Sequence, residues 1–300
     1  MRLLLGFLVI ALWVPVAVAQ TPLAGHYPPG QSGIRGAASP AEPGWAYTNF
    51  SRAFSNLEVK DADGGTVQSK SETRFANISM FTWNSAWKVL GMRYGALCGI
   101  PFATGNLNPS GGEVTSTGFG LGDILVTPVS LYGRPPSFDY QFQFTYWSSS
   151  GHFVPGDTKN RGAGFSALVY SMGGVWYPKG ERRNWSASAV ARFEQNFEQT
   201  KTSIHPGDDM VVDWGIGKVI RSSARPLELG VSGFGTWQLS QQTGGPTGVD
   251  TKKYHYLGAG PEGSYSPWDH WTLRLRAQWE FETHNAVQGN NLWFIVNFAS

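Results

Sequence analysis

Residues Trp271 to Glu282 alternate strictly: Trp271, Leu273, Leu275, Ala277, Trp279 and Phe281 on one side, Thr272, Arg274, Arg276, Gln278, Glu280 and Glu282 on the other. Successive side chains of a strand point to opposite faces, so this segment predicts a strand with one apolar and one charged face. Trp185, Ala187, Ala189, Ala191 and Phe193 likewise oppose Ser186, Ser188, Arg192, Glu194 and Asn196, and Phe138, Tyr140, Phe142, Phe144 and Tyr146 oppose Asp139, Gln141, Gln143 and Thr145. Such strands run about ten residues or more, enough to cross a bilayer at a tilt, whereas ordinary strands average about five or six. A soluble sandwich would share the alternation but not the length.

The pattern divides the chain into about twelve strands, at 45–56, 72–83, 87–102, 121–132, 138–153, 164–177, 185–197, 209–219, 227–239, 255–264, 271–282 and 291–298. Connections alternate in length. Long ones fall at 57–71, 103–120, 198–208 and 240–254, with 154–163 and 283–290 less clearly so; short ones fall at 84–86, 133–137, 178–184, 220–226 and 265–270. Loops sorted in this way, with an even strand count, are how outer-membrane barrels are organised. Aromatic pairs flank the short turns: Trp83 and Trp87, Tyr132 and Phe138, Tyr177 and Trp185, then Tyr265, Trp268 and Trp271. Amphipathic rings collect at a lipid–water boundary, so these predict a girdle. In the last strand Leu292, Phe294, Val296 and Phe298 alternate, as in the segment read by barrel-assembly machinery, although Ala299 and Ser300 follow the usual terminal Phe.

Composition agrees. Charged residues make up 15% of the chain, against about 25% in a soluble domain. Their place is taken by 38 glycines and 14% aromatics, 13 of them tryptophan. A formal charge of +2, with no basic run longer than Arg182-Arg183 or Lys252-Lys253, excludes nucleic acid as a partner. The single Cys98 rules out a disulfide framework. At the N-terminus, Arg2, the apolar run Leu3 to Val14 and Ala17-Val18-Ala19 predict a signal peptide over 1–19. No stretch reaches the roughly 18 apolar residues of a spanning helix. Residues 20–44, rich in Gly and Pro and without period, form a leader and a candidate plug ahead of a barrel over 45–298. The expected fold is therefore all-β, an antiparallel transmembrane β-barrel in the outer membrane of a Gram-negative bacterium.

The chain resembles the family of the putative MetA-pathway of phenol degradation, from about His26 to Phe298. The resemblance rests on Gly25-His26-Tyr27-Pro28-Pro29-Gly30 with Gly33-Ile34 and Pro43-Gly44, then Gly122-Asp123-Ile124 with Pro128, and Pro155-Gly156-Asp157. It continues through His205-Pro206-Gly207-Asp208, Gly258-Ala259-Gly260-Pro261 and Asn285 to Asn291. Trp237-Gln238-Leu239 departs from the Tyr-rich segment expected there. The resemblance implies an outer-membrane transporter for aromatic or other hydrophobic compounds.

The residues themselves offer little reaction chemistry. His26, His152, His205, His255, His270 and His284 are not spaced as metal ligands, and Cys98 lies far from them, so neither metal nor other cofactor is expected. His205 with Asp208 or Asp209, and His152 with Ser150, lack a nucleophile elbow and a third orienting group, so no catalytic residue is assigned. Gly258 to Gly263 matches a dinucleotide fingerprint only formally, since Pro261 interrupts it and no helix follows. The inward-facing side chains carry the functional expectation. If the apolar faces meet lipid, then Arg93, Arg192, Glu194, Asp213, Arg274, Arg276, Glu280 and Glu282 project into the lumen, joined by Phe234 and Trp293. They form either a structural ion-pair lattice or the lining of a constriction that passes a small aromatic substrate. The partners expected are lipid, that substrate and the assembly machinery. Two other readings stand beside the channel: a closed structural or adhesive barrel, and a barrel enzyme acting on membrane lipid.

Overall fold

A computed structural model of the chain describes residues 22–104, 119–157, 160–221, 225–245 and 252–300. The strands are β1 (Gly44–Lys60), β2 (Thr66–Val89), β3 (Met92–Thr104), β4 (Phe119–Leu121), β5 (Leu125–Gly133), β6 (Phe138–Trp147), β7 (Ala167–Trp176), β8 (Trp185–Asn196), β9 (Asp209–Arg221), β10 (Leu227–Gln238), β11 (His255–Tyr265), β12 (Trp271–His284) and β13 (Val287–Ala299). Leaving the short β4 aside, each pairs antiparallel with its neighbours in sequence, and β13 returns to β1 in the register Ala46↔Ala299 to Val59↔Val287. The three-residue β4 and β5 both pair with β3, so together they make one stave of a closed twelve-strand barrel. Ser300 finishes the seam: its N–H donates to the Trp45 carbonyl at 2.9 Å, and its hydroxyl accepts from the Trp45 N–H.

Burial follows the predicted alternation. On β12, Leu275, Trp279 and Phe281 are exposed on the outer face, while Arg276, Gln278 and Glu280 are buried inside. The glycine and aromatic excess has a packing cause. A side chain at Gly133, Gly174 or Gly233 would strike the rings of Tyr140, Phe138 and Trp214 respectively. Each large outward ring thus lies over the bare backbone of a neighbouring strand, an arrangement that stabilises curved sheets.

Three connections differ from the sequence reading. The predicted turn at 84–86 is a bulge: the register slips between Asn84 and Lys88, the Ser85 hydroxyl bonds the Tyr94 carbonyl, and β2 continues to Val89. The chain reverses instead at Leu90-Gly91, both at positive φ as a two-residue hairpin turn requires. At the other end, β1 and β2 extend to Asp61–Gly65 and β12 and β13 to Asn285-Ala286, so the predicted loops 57–71 and 283–290 are tight turns. The connections predicted at 198–208 and 240–254 are long as expected; the one predicted at 154–163 is longer, because β6 stops at Trp147 and β7 starts only at Ala167, so 148–153 and 164–166 are not strand; 105–118 lie outside the described residues, as do the predicted signal peptide and Gln20. A bulge also corrects the placement of Glu282. With φ at +49° it breaks the alternation, so Glu282 is exposed and Thr283 turns inward in its place.

Substituting Gly233→Val should drive the Trp214 ring off β10 and cost about 1–3 kcal/mol, the usual penalty for overpacking. Urea unfolding of the refolded barrel reads this as a lower midpoint, while Val231→Ala, on the same lipid-facing surface, should move it little.

Candidate functional site: the lumen and its leader

Residues 22–43 run through the lumen from the long-loop end to the short-turn end. At the long-loop end the Leu23 N–H donates to Gln242 Oε1 at 2.9 Å, and Leu23 packs with Phe165 and Ile204 of the long loops. At the short-turn end the Ser39 hydroxyl bonds the Gly133 carbonyl, Arg93 reaches the Pro40 carbonyl at 3.2 Å, and Ala37 packs with Val175, Tyr177 and Val190.

Between these ends the leader meets the charged wall of β8 to β12. A Gly- and Pro-rich segment forms no ladder of its own, so its N–H groups need outside acceptors. Asp213 accepts from the Gly30 N–H at 2.8 Å, the Ser32 N–H at 3.0 Å and the Tyr27 hydroxyl at 2.8 Å, and pairs with Arg192 at 3.1 Å. Glu194 accepts from the backbone N–H of His26 and Tyr27. Glu262 accepts from the Ile34 N–H and pairs with Arg276 and Arg274 at 2.8 and 3.3 Å. Arg35 pairs with Glu228 at 2.8 Å. Arg276, fully buried, also donates to the carbonyls of Gly30 and Gln31. The leader lies so close to this wall that a side chain at Gly25 would strike Glu194 and Asp209, and one at Gly33 would strike Glu262 and Arg276.

His26 fastens the long-loop half. Its Nδ1 lies 2.9 Å from Glu194 Oε1, its Nε2 3.0 Å from the Phe165 carbonyl oxygen and 3.5 Å from Asp123 Oδ2, and its ring stacks on Trp147. Burial opposes a charge on the imidazole, but hydrogen bonds to Asp123 and Glu194 outweigh it and push the pKa up to about 9.

The leader leaves two chambers against the opposite wall. The first, about 150 Å³, includes His26, Tyr27, Pro28, Phe102, Trp147 and Tyr256 in its lining. The second, about 170 Å³, is bordered by Met80, Leu125 and Val169 but also by Gln141, Gln143 and Thr145. Arg52, Ile78 and Glu194 border the first, while Phe50, Met80 and Arg192, the next inward positions toward the short-turn end, border the second. The chambers therefore stack along the barrel axis, with Tyr27 and Trp147 shared by both.

Of the residues predicted to line the pore, Glu194 borders the first chamber and Arg192 the second. Asp213, Phe234 and Arg276 face the leader. Arg274 is held by Glu262, and Glu280 by Asn291, the Gly289 N–H and Arg52. Trp293 lies buried beneath the Arg52 guanidinium, and Arg93 sits at the short-turn end. Sequence reasoning missed Trp147, although the inward series Asp139, Gln141, Gln143, Thr145 extends to it. It also missed His26 and Tyr27, which lie in a segment with no period to reveal their direction.

The family described as Putative MetA-pathway of phenol degradation matches residues 58–295. The chain belongs to this family. The match begins beyond the leader, so the Gly25 to Gly30 motif lies outside it. No curated protein matches this member. Among solved structures, the crystal structure of an outer membrane channel from Pseudomonas putida F1 superposes with a TM-score of 0.69 at 12% identity, covering 91% of this chain and all of that one. The beta domain of the Bordetella autotransporter BrkA gives 0.48 at 11% identity, covering 86% of this chain and 100% of that one. The Pseudomonas putida toluene transporter TodX gives 0.40 at 10%, covering 94% and 95%.

The raised pKa of His26 gives its contribution a sign. An imidazole whose docked pKa lies above its ordinary value of about 6.5 stabilises docking fully below that pH and loses the contribution as pH rises through about 9. Asp123, Glu194, Asp209 and Arg161 border the same chamber. Protection of the leader from protease should therefore fall between about pH 7 and pH 10, and His26→Gln should flatten that dependence.

Proposed function

We propose that this protein is an outer-membrane channel for small hydrophobic or aromatic molecules, rather than an enzyme, and that its cargo passes beside the leader. The observation that carries this reading is the pair of stacked chambers. Each is close to the roughly 150 Å³ of an engineered apolar cavity that takes up benzene, so each suits a single ring. Aromatic and aliphatic walls supply the affinity, and Gln141, Gln143 and Thr145 offer a polar edge its hydrogen bonds. The family's association with phenol degradation agrees. On this reading residues 1–19 are the export signal, the strands are inserted by barrel-assembly machinery, the long loops face outward and the short turns face the periplasm. Residues 22–43 act as a partial plug, held by Asp213, Glu262 and Arg276, while Arg192 and Glu194 border the path.

A closed structural barrel is the second reading, favoured by the covering of both ends: long loops over Leu23 and the leader stem at Ser39. Planar-bilayer recording separates the two. A channel should show discrete openings that single-ring solutes block, and deletion of residues 20–43 should raise conductance several-fold. A folded barrel with neither current nor solute flux, before and after the deletion, would leave the closed barrel standing.

The shared position of Trp147 gives a sharper expectation. Trp147→Ala should widen the junction between the chambers and admit bicyclic aromatics in a liposome uptake assay, with single-ring uptake little changed. Unchanged size selectivity would remove Trp147 from the path.

A further inference from the structure

The polar groups that border the first chamber are unequally engaged. Its carboxylates are taken up by the protein. Glu194 accepts from the backbone N–H groups of His26 and Tyr27, and Asp123 from those of Gly151 and Ala163 at 2.7 and 2.6 Å. Asp209 accepts from the Tyr254 hydroxyl at 2.6 Å and from Asn196 Nδ2 at 2.9 Å.

Two donors differ. Arg52 spends one nitrogen: its Nε donates to Asn291 Oδ1 at 2.6 Å, while the guanidinium lies over the rings of Phe54 and Trp293. The Glu280 carboxylate stands 3.8 Å from Nη2, beyond hydrogen-bond distance, and is itself held by the Gly289 N–H and Asn291. Among the described residues, neither Nη1 nor Nη2 of Arg52 has a hydrogen-bond acceptor within reach. The Tyr256 hydroxyl likewise has no partner among them, although its ring is fixed edge-on against Phe234 and beside Tyr254. Unlike Trp293 Nε1, which is sealed in the wall, these donors open on the chamber that both side chains border, and 17% of the Arg52 side chain stays accessible.

The chemistry of these groups narrows what they can recognise. A guanidinium only donates, whereas a tyrosine hydroxyl donates or accepts, so the unspent capacity calls for an acceptor. Charge narrows it further. Arg52, Arg161 and the protonated His26 border the chamber together with Asp123, Glu194 and Asp209, and Glu280 stands beside Arg52. No surplus positive charge is left to offset the desolvation of an anion. The space, about 150 Å³ with apolar walls at Ile78, Pro101, Phe102 and Val211, suits one ring with a small substituent. A plain hydrocarbon there strips water from the two donors and leaves them unpaired, which is how a hydrogen-bonding site rejects an isostere.

Resting on the channel reading, we infer that the first chamber is a selectivity site for neutral single-ring compounds bearing a hydrogen-bond acceptor such as a carbonyl or nitro group, recognised by Arg52 and Tyr256. The ring lies against the apolar wall and the acceptor meets the guanidinium and the hydroxyl. Asn291, Phe54 and Trp293 hold the guanidinium in place beforehand, so little ordering is left to the moment of binding. Hydrocarbons take this site at a disadvantage, and aromatic carboxylates are turned away by its acids.

Equilibrium dialysis against proteoliposomes holding the refolded barrel with its leader, referenced to protein-free liposomes of the same lipid, reads binding apart from transport. Benzaldehyde and styrene are close in shape and differ in the acceptor; benzoate adds the charge. After correction for partition into lipid, benzaldehyde should bind about tenfold tighter than styrene, as a hydrogen bond to a charged group allows, and benzoate most weakly. Tyr256→Phe should lower the benzaldehyde-to-styrene ratio about fivefold, and Arg52→Gln should abolish the preference. Equal corrected affinities for benzaldehyde and styrene, tightest binding of benzoate, or a ratio that Tyr256→Phe leaves intact would each overturn the assignment. Should Arg52→Gln fail to fold, the unsubstituted barrel and Tyr256→Phe still decide the matter. Selective binding without solute uptake would sink the channel and leave the site standing, whereas uptake without selectivity would do the reverse.

Discussion

The fold depends on how carboxylates on a sealed inner wall are neutralised. Asp213, Glu194, Glu228 and Glu262 project from successive strands β8 to β11 into a lumen narrow enough to exclude most water from them. An unpaired buried charge costs several kcal/mol, and Arg192, Arg274 and Arg276 answer only part of the demand. The leader answers the rest with backbone N–H groups and Arg35. Its composition follows from this task. Proline prevents it from folding on itself, and glycine lets its backbone come within hydrogen-bonding distance of the wall, where any side chain would collide.

This coupling ties the barrel's wall to what fills it. Asp213 serves Gly30, Ser32, Tyr27 and Arg192 together, so the leader and the wall charges form one network. Removing one member leaves the others partly unsatisfied in a low-dielectric space, and the effects of such changes should not add. The leader is held at both ends as well, by Leu23 among the long loops and by Ser39 and Pro40 near the short turns.

The wall was legible in the sequence because its physics has a period. Alternation placed every strand of the second half and the inward direction of Arg192, Glu194, Asp213, Arg276 and Glu280. It failed where the period is broken on purpose. The Ser85 bulge carries enough local polarity to look like a turn, and the bulge at Glu282 reverses the face of a residue that simple counting sends inward. The tight turns at Asp61–Gly65 and Asn285-Ala286 were hidden by polar strand ends, which read as loop once they project beyond the apolar band. The leader was legible only as a segment. Its partners are set by tertiary approach, so nothing in the order Gly25-His26-Tyr27 announces that His26 binds Glu194 or that Tyr27 reaches Asp213.

The charge on the wall is unevenly distributed, and this decides where space remains. The strands that hold the leader, β8 to β12, carry the ion pairs that meet it, whereas β5 to β7 present Thr127, Gln141, Gln143, Thr145 and Ser171 to the second chamber, with Asp139 of β6 paired to Arg182. Neutral amides and hydroxyls draw no backbone segment onto themselves with comparable strength, since a neutral hydrogen bond is about half as strong as a charge-assisted one. The leader therefore settles against the charged side; the first chamber keeps charged neighbours in Arg52, Asp123, Arg161, Glu194 and Asp209, and the second lies along the neutral wall. A molecule using that volume meets surfaces that bind it weakly and exchange hydrogen bonds easily, which is what passage through a channel requires of its walls. The same segregation fastens the leader and leaves Arg192 as the charged residue bordering the second chamber.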